Sequence, residues 1–304
     1  MPIVTYENPE NAIEIVLKFY NRTKESLNQD VESVKEWLQK QSHLPEIPDD
    51  SVIRRFIIFH KFHIEVMKAK LDMYYTIKSL LPEFFNQHPC GVDAKTITNV
   101  VYMIPLTKPT EDLSRIICFK LKDTNPNNFD VDKFMTYILN IAEIRLREEY
   151  SLSDTYVCDL NGITMHHFMK CTPVFLKKVN FLIEKVFTIR LNAIYILNAP
   201  SFIDSFISIV SRYLKPKVTK RIKIIPTLEQ LHEFVSKDVL PKDFGGSLPP
   251  LQEFQDLWFN KFEENDVLFQ HLMSLRVNEK LRPGKPIDDD ILGIQGNFRQ
   301  LSFD

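Results

Sequence analysis

Lys215, Lys217, Lys220, Arg221 and Lys223 place five cations within nine residues, with no acid among them. In a chain of 304 residues and net charge −2, such a run makes a compact positive field that attracts phosphate. Arg190 stands upstream, ahead of an apolar run at 191–197. Between the two lies a segment, 201–214, that reads as a helix. At ~100° per residue, Phe202, Phe206, Ile209 and Tyr213 fall on one ridge. Ile203, Ile207, Val210 and Leu214 fall on a second ridge beside it. The apolar arc is about 160° wide, against the roughly 100° stripe of an ordinary surface helix. Two readings fit. Either one ridge covers a pocket while the other faces a membrane, or the helix is wedged between two core layers. The basic run likewise reads as a phosphate-binding patch or as a solvated edge.

The rest of the chain offers little reactive chemistry. Gly245-Gly246 is the sole glycine pair among seven glycines, and neither a dinucleotide nor a P-loop pattern occurs. No GxSxG elbow is present. His60 and His63 sit three apart on an expected helix, and His166-His167 are adjacent, yet no acid or thiol stands at ligand spacing beside them. No metal site, cofactor or catalytic constellation is expected, and the chain reads as a non-enzyme. The charge of −2 argues against a general nucleic-acid binder. Cys90, Cys118, Cys158 and Cys171 form no CxxC pair, as suits reduced thiols in a cytosolic protein. Asn21-Arg22-Thr23 matches a glycosylation sequon by chance. The start lacks the pattern of a signal peptide, and no apolar run reaches the ~18 residues of a membrane span. The expected location is therefore cytoplasmic, with peripheral membrane association.

The elements that must position these residues divide the chain. Residues 8–88 read as all-helical, with apolar residues at helical spacing over Glu10–Tyr20, Val31–Leu38 and Ile64–Ile77. Asp49-Asp50-Ser51 supplies N-caps for a helix holding Val52, Ile53, Phe56, Ile57 and Phe59. From about 97 the pattern changes. Val100–Ile104, Ile116–Leu121, Thr155–Leu160, Leu191–Leu197 and Ile222–Ile225 read as strands. Val131–Glu148 and 164–186 read as helices, with Pro173 starting or kinking one. Strands alternating with helices imply an α/β layer with parallel pairing. A helix over Leu251–Phe269 precedes an irregular tail with the acidic run Asp288–Asp290. The expected domains are a helical domain at 1–90, an α/β domain at 91–255 and a C-terminal helix with tail at 256–304.

These residues resemble the CRAL-TRIO lipid-binding family. The pieces that carry the resemblance include the stretch from Ile47 to Phe56, Cys158-Asp-Leu-Asn-Gly162, Thr172-Pro173, Ile196-Leu-Asn-Ala-Pro200, Lys217-Val-Thr-Lys-Arg-Ile222 and the stretch from Leu240 to Leu248. Their order and spacing over about 30–255 are specific. The ending, from Gly296 to Asp304, is similar to the tails of insect members near the tocopherol and retinaldehyde branch.

The resemblance implies an α/β fold in which a helical N-terminal domain packs on a domain whose mostly parallel sheet floors a hydrophobic cavity. The helix at 201–214 would be its mobile gate. The pocket would be lined by Met135, Ile138, Leu139 and Ala142; by Leu182, Ile183, Phe187 and Ile189; by Ile194; and by Ile203, Ile207, Val210 and Leu214 of the gate. Phe202, Phe206 and Ile209 would face the membrane. Arg190, Lys217 and Arg221 fall on three positions of a basic cleft that holds a phosphoinositide headgroup. A fourth position, an arginine in the family, falls within 56–60, where this chain has none.

The expected function is a soluble carrier that binds one small hydrophobic lipid (tocopherol, retinoid, carotenoid or phospholipid) and exchanges it in transient membrane contact. Exposing four large gate side chains at about 1.5–3 kcal/mol each costs roughly 6–12 kcal/mol, which would keep the gate shut in water. The alternative is a phosphoinositide-responsive regulatory module whose lipid occupancy controls a protein partner.

Overall fold

The computed structural model describes residues 11–187 and 190–287. The N-terminal part is helical: α1 (Ala12–Phe19), α2 (Lys24–Leu38), α3 (Asp50–Phe59), α4 (Ile64–Leu80), α5 (Pro82–Phe85) and α6 (Val92–Thr98). Thr23 begins α2 with a capping box, accepting from the Ser26 N–H at 3.1 Å. Asp49 makes no such side-chain cap at α3. Asp50 instead pairs with Lys35 of α2 at 3.2 Å.

The α/β part has β1 (Val101–Pro105), β2 (Ser114–Leu121), α7 (Val131–Glu148), β3 (Ser153–Asp159), α8 (Met165–Met169), α9 (Pro173–Phe181), β4 (Leu191–Leu197), α10 (Ile203–Val210), α11 (Pro216–Thr219), β5 (Ile222–Ile224) and α12 (Leu228–Phe234). The strands lie in sequence order, with β1 antiparallel to β2 and every later pair parallel. Right-handed crossovers between parallel strands in such an order put α7, α9 and α10 on one face. Register agrees. Ile117, Tyr156 and Ile194 are cross-strand partners, and Phe119 meets Phe134 of α7 edge-on at 5.9 Å. The alternate residue Tyr195 points to the other face, where it stacks on Phe234 of α12 at 5.3 Å.

The outer edge of β1 is covered by α13 (Leu251–Glu264). Gln255 donates to the Val101 carbonyl at 3.4 Å, and the Trp258 indole donates to the Pro105 carbonyl at 3.0 Å. These side chains satisfy acceptors that an open edge would leave bare. The expected helix over Leu251–Phe269 is two helices, because the chain breaks at Asn265 before α14 (Asp266–Ser274).

Two buried ion-pair networks fasten the layers through α7. Glu143 accepts from Lys78 of α4 at 2.6 Å, from the Tyr74 hydroxyl at 2.6 Å and from Arg147 at 2.8 Å. Burial would raise its carboxyl, but the Lys78 and Arg147 cations outweigh that and hold it at about 2. Just past the end of α7, Glu149 receives both Arg115 of β2 and Arg145.

Gly245 and Gly246 are both required by geometry. Gly245 has φ +69°, and a Cβ on Gly246 would lie 2.0 Å from the Leu240 carbonyl oxygen.

Candidate functional site: an apolar cavity under α7

A cavity of about 160 Å³ lies between the sheet, α7, the helical N-terminal part and a π-helical turn at Leu182–Val186 that extends α9. The α7 stripe at i, i+3, i+4, i+7 brings Met135, Ile138, Leu139 and Ala142 to its wall. The π turn contributes Leu182, Ile183 and Val186, and Phe187 follows. A π turn widens the helix by one residue and recurs at functional sites. Met103, Ile117 and Tyr156 form the floor.

The other expected pocket residues lie elsewhere. Ile194 is half-buried on the same sheet face as Tyr156 but beyond the cavity wall. Ile203 is buried and Ile207, Val210 and Leu214 are half-buried, yet none of the four lines this cavity. Ile189 falls outside the described residues.

The gate segment itself is shorter than expected. Pro200 precedes it, and α10 spans Ile203–Val210, with turns to Leu214. It lies at the surface rather than between core layers, since of its eight residues only Ile203 is buried. The cost of lifting it therefore sits near or below the lower end of the sequence-based range, about 6 kcal/mol. Of the three residues assigned outward, Ile209 is exposed (50%). Phe202 and Phe206 are half-buried because both pack on Phe168 of α8, at 5.4 and 3.7 Å between ring centres. The same short α8 exposes Met165 (45%) and Met169 (68%). Their i, i+4 spacing was visible in the sequence, but five residues are too few for a periodic signal.

The cavity continues to a polar end at the start of β3. Ser151, Ser153, Asp154 and Arg145 line it, and Arg145 donates to the Asp154 oxygens at 3.1 and 2.6 Å. On the opposite side the helical part supplies Tyr20, Phe56, Phe59 and His60. His60 lies in the turn between α3 and α4, so it does not share a helix with His63. Its Nδ1 bonds the Phe56 carbonyl at 2.6 Å. Burial dominates its titration and brings it down to about 4.

The basic residues spread around the rim. Arg190 and Lys61 are exposed and border the cavity. The Arg190 guanidinium lies 4.9 Å from the ring centre of Phe19 on α1. Lys217 and Arg221 are exposed on and after α11. Lys215 pairs with Glu184 of the π turn at 3.1 Å. Lys70 of α4 faces the same group. Burial first, then the Lys215 cation, lower its ammonium to about 8, with Lys185 and Lys217 adding to the effect and Glu184 opposing it. Sequence spacing gave no sign that Lys70 joins this cluster across the domains.

Neither Cys158 nor Cys171 is an activated nucleophile. Burial pushes the Cys158 thiol up to about 12 and the Cys171 thiol up to about 11. Among the described residues no group of three or more His, Cys, Asp or Glu side chains could hold a metal, and no helix is long and apolar enough to cross a membrane.

Residues 99–246 match the CRAL/TRIO domain, and residues 23–91 match the Pinta-like, UBA domain. The structure is thus a helical, UBA-like region packed on a CRAL/TRIO α/β domain with a largely parallel sheet. Within that class, the chain is related at low identity to alpha-tocopherol transfer protein-like and clavesin proteins. It is 23% identical over 223 residues to the human alpha-tocopherol transfer protein-like protein, covering 72% of this chain and 65% of that protein. It is 24% identical over 247 residues to rat clavesin-2, covering 76% and 72%. The chain thus spans about 65% of the length of the tocopherol-transfer-like relatives. The crystal structure of Sfh5 shares the fold at 11% identity and a TM-score of 0.50, over 86% of this chain and 99% of that one. The human and rat relatives are vertebrate proteins, and the tail at 296–304, on which the expected likeness to insect members rests, lies outside the described residues.

Proposed function

We propose that this protein is a carrier that holds one hydrophobic molecule beneath α7 and exchanges it at a membrane surface when α10 lifts. The observation that carries the reading is the apolar cavity walled by α7 and the π turn, with the CRAL/TRIO match in support. Its 160 Å³ is close to the ~150 Å³ of an engineered cavity that holds one benzene. A retinoid, tocopherol or carotenoid is larger, so admitting one requires the cavity to widen. Ile209 and the α8 methionines offer apolar contact to the bilayer, and the basic residues hold the protein there at about 1 kcal/mol each.

The test is mass spectrometry of an organic extract of the natively purified protein, followed by transfer of the identified lipid between vesicles. One co-purifying hydrophobic molecule that the protein moves between membranes is the expected result. A lipid-free extract with no transfer of any of the four ligand classes would reject the carrier.

Phosphoinositide recognition by Arg190, Lys217 and Arg221 belongs to the same reading. Lys61 and Lys70 support it, because they bring cations from the helical part where the family's arginine is missing. Lys217→Ala with Arg221→Ala should weaken flotation with phosphoinositide vesicles, and equal flotation would reject the patch. The regulatory alternative would show instead as lipid-dependent capture of one protein partner with negligible transfer.

A further inference from the structure

A charge cluster backs the polar end of the cavity, where Arg145 and Asp154 line it. Arg115 and Arg145 face Glu149 and Asp154, two cations against two carboxylates. Arg115 is further held by the Leu106 and Thr107 carbonyls at 2.8 and 2.6 Å. All four side chains are thus committed to one another or to the backbone, and the cations left to meet a charged ligand, Arg190 and Lys61, stand exposed at the rim.

Tyr156 differs. It stands two residues after Asp154 on β3, so both side chains emerge on the α7 face and both line the cavity. No hydrogen-bond partner is found for its hydroxyl among the described residues. Burial first, then the neighbouring Asp154 carboxylate, push that phenol far above its usual range, so it stays a neutral donor. Each Asp154 oxygen takes one Arg145 hydrogen bond and keeps a further lone pair. A donor and an acceptor therefore look into the same apolar space. A donor left unmet there costs about 1–3 kcal/mol.

Resting on the carrier reading, we propose that the ligand bears a single uncharged hydroxyl, which leads into the cavity, accepts from Tyr156 and donates to Asp154. An oxygen-free hydrocarbon leaves the tyrosine unmet. A carboxylate or phosphate in that place faces Asp154 across a cluster whose cations are already neutralised. Tyr156 then sets head-group choice, while the apolar wall and gate accept the tail.

The experiment uses delipidated full-length protein and three probes of one skeleton: the sesquiterpene alcohol farnesol, its methyl ether and farnesoic acid. Titration calorimetry should rank farnesol first, with the acid weaker by at least about tenfold. Tyr156→Phe should weaken farnesol about five- to tenfold and leave the acid unchanged. It should not lower the melting temperature of the ligand-free protein, since the hydroxyl has no partner to lose. Acid binding as tight as the alcohol, or farnesol affinity indifferent to Tyr156→Phe, overturns the proposal while leaving the carrier intact. Acid binding that falls with Arg190→Ala or Lys61→Ala identifies a head lying outward at the rim, and also overturns it. A wild-type protein that binds none of the three and yields no lipid on extraction removes the carrier reading, and this proposal with it.

Discussion

The Phe168 ring lies flat on the Phe206 ring, with centres 3.7 Å apart and planes 13° from parallel. Because Phe168 is on α8 and Phe206 on α10, this stack fastens α10, the proposed gate, to its neighbour. An aromatic pair contributes about 0.5–1.5 kcal/mol beyond its buried area. Phe168→Ala should therefore speed release of a bound fluorescent retinoid by roughly three- to tenfold. Stopped-flow dissociation rates check it, and an unchanged rate would show that the stack does not restrain opening.

Charges placed on Phe202 and Phe206 would disturb that stack as well as any membrane contact. The cleaner membrane test uses the exposed Ile209 and Met169. Ile209→Asp with Met169→Asp should slow transfer between vesicles, leaving bound ligand and melting temperature as they were. Full transfer by this double variant would place the membrane face elsewhere.

His60 sits buried and neutral, at about 4 against an ordinary value near 6.5. The unfolded chain binds the proton more readily, so this contribution is complete above about pH 6.5 and is lost as pH falls towards 4, worth about 3 kcal/mol. Glu143 and Glu149 are held down at about 2 by their cations, against the opposing effect of burial. Their contribution is complete above about pH 4.5 and is lost as pH falls towards 2. Stability should thus decline in two stages, and His60→Gln should flatten the first alone. A first stage that survives His60→Gln assigns it to other groups.

Lys78 and Glu143 are both almost fully buried, and their pair joins α4 to α7. Removing one partner strands a buried charge, at a cost of about 3–5 kcal/mol. Arg147 still meets Glu143, so Lys78→Met should fall near the lower figure, read from urea unfolding. Loss below about 1 kcal/mol would mean that Arg147 and Tyr74 suffice.

The sequence was most legible where one residue pattern had one structural outcome. The expected bounds of Val131–Glu148 and Leu191–Leu197 coincide with α7 and β4. The first has the Asp130 cap and a long amphipathic stripe, and the second an unbroken apolar run. Thr172 and Pro173 begin a new helix, as their residue types suggest. Legibility failed where long-range contacts decide. Periodicity placed Phe202 and Phe206 on one outer ridge, but it could not reveal Phe168 approaching from a separate helix. Tyr20, Phe56 and His60 gave no hint of a cavity wall, because the sheet that completes it lies far along the chain. The Arg145–Asp154 pair was hidden for the same reason, since it closes only when the end of α7 folds back on β3.

The sequential strand order has a mechanical consequence. Because the crossovers share one side, cavity, π turn and gate belong to a single layer, while α12 braces the reverse of the sheet through Tyr195 and Phe234. On the proposed carrier reading, cargo would swell or empty that layer against a stationary backplate, so loading and unloading need not loosen the half of the molecule that keeps the strands in register.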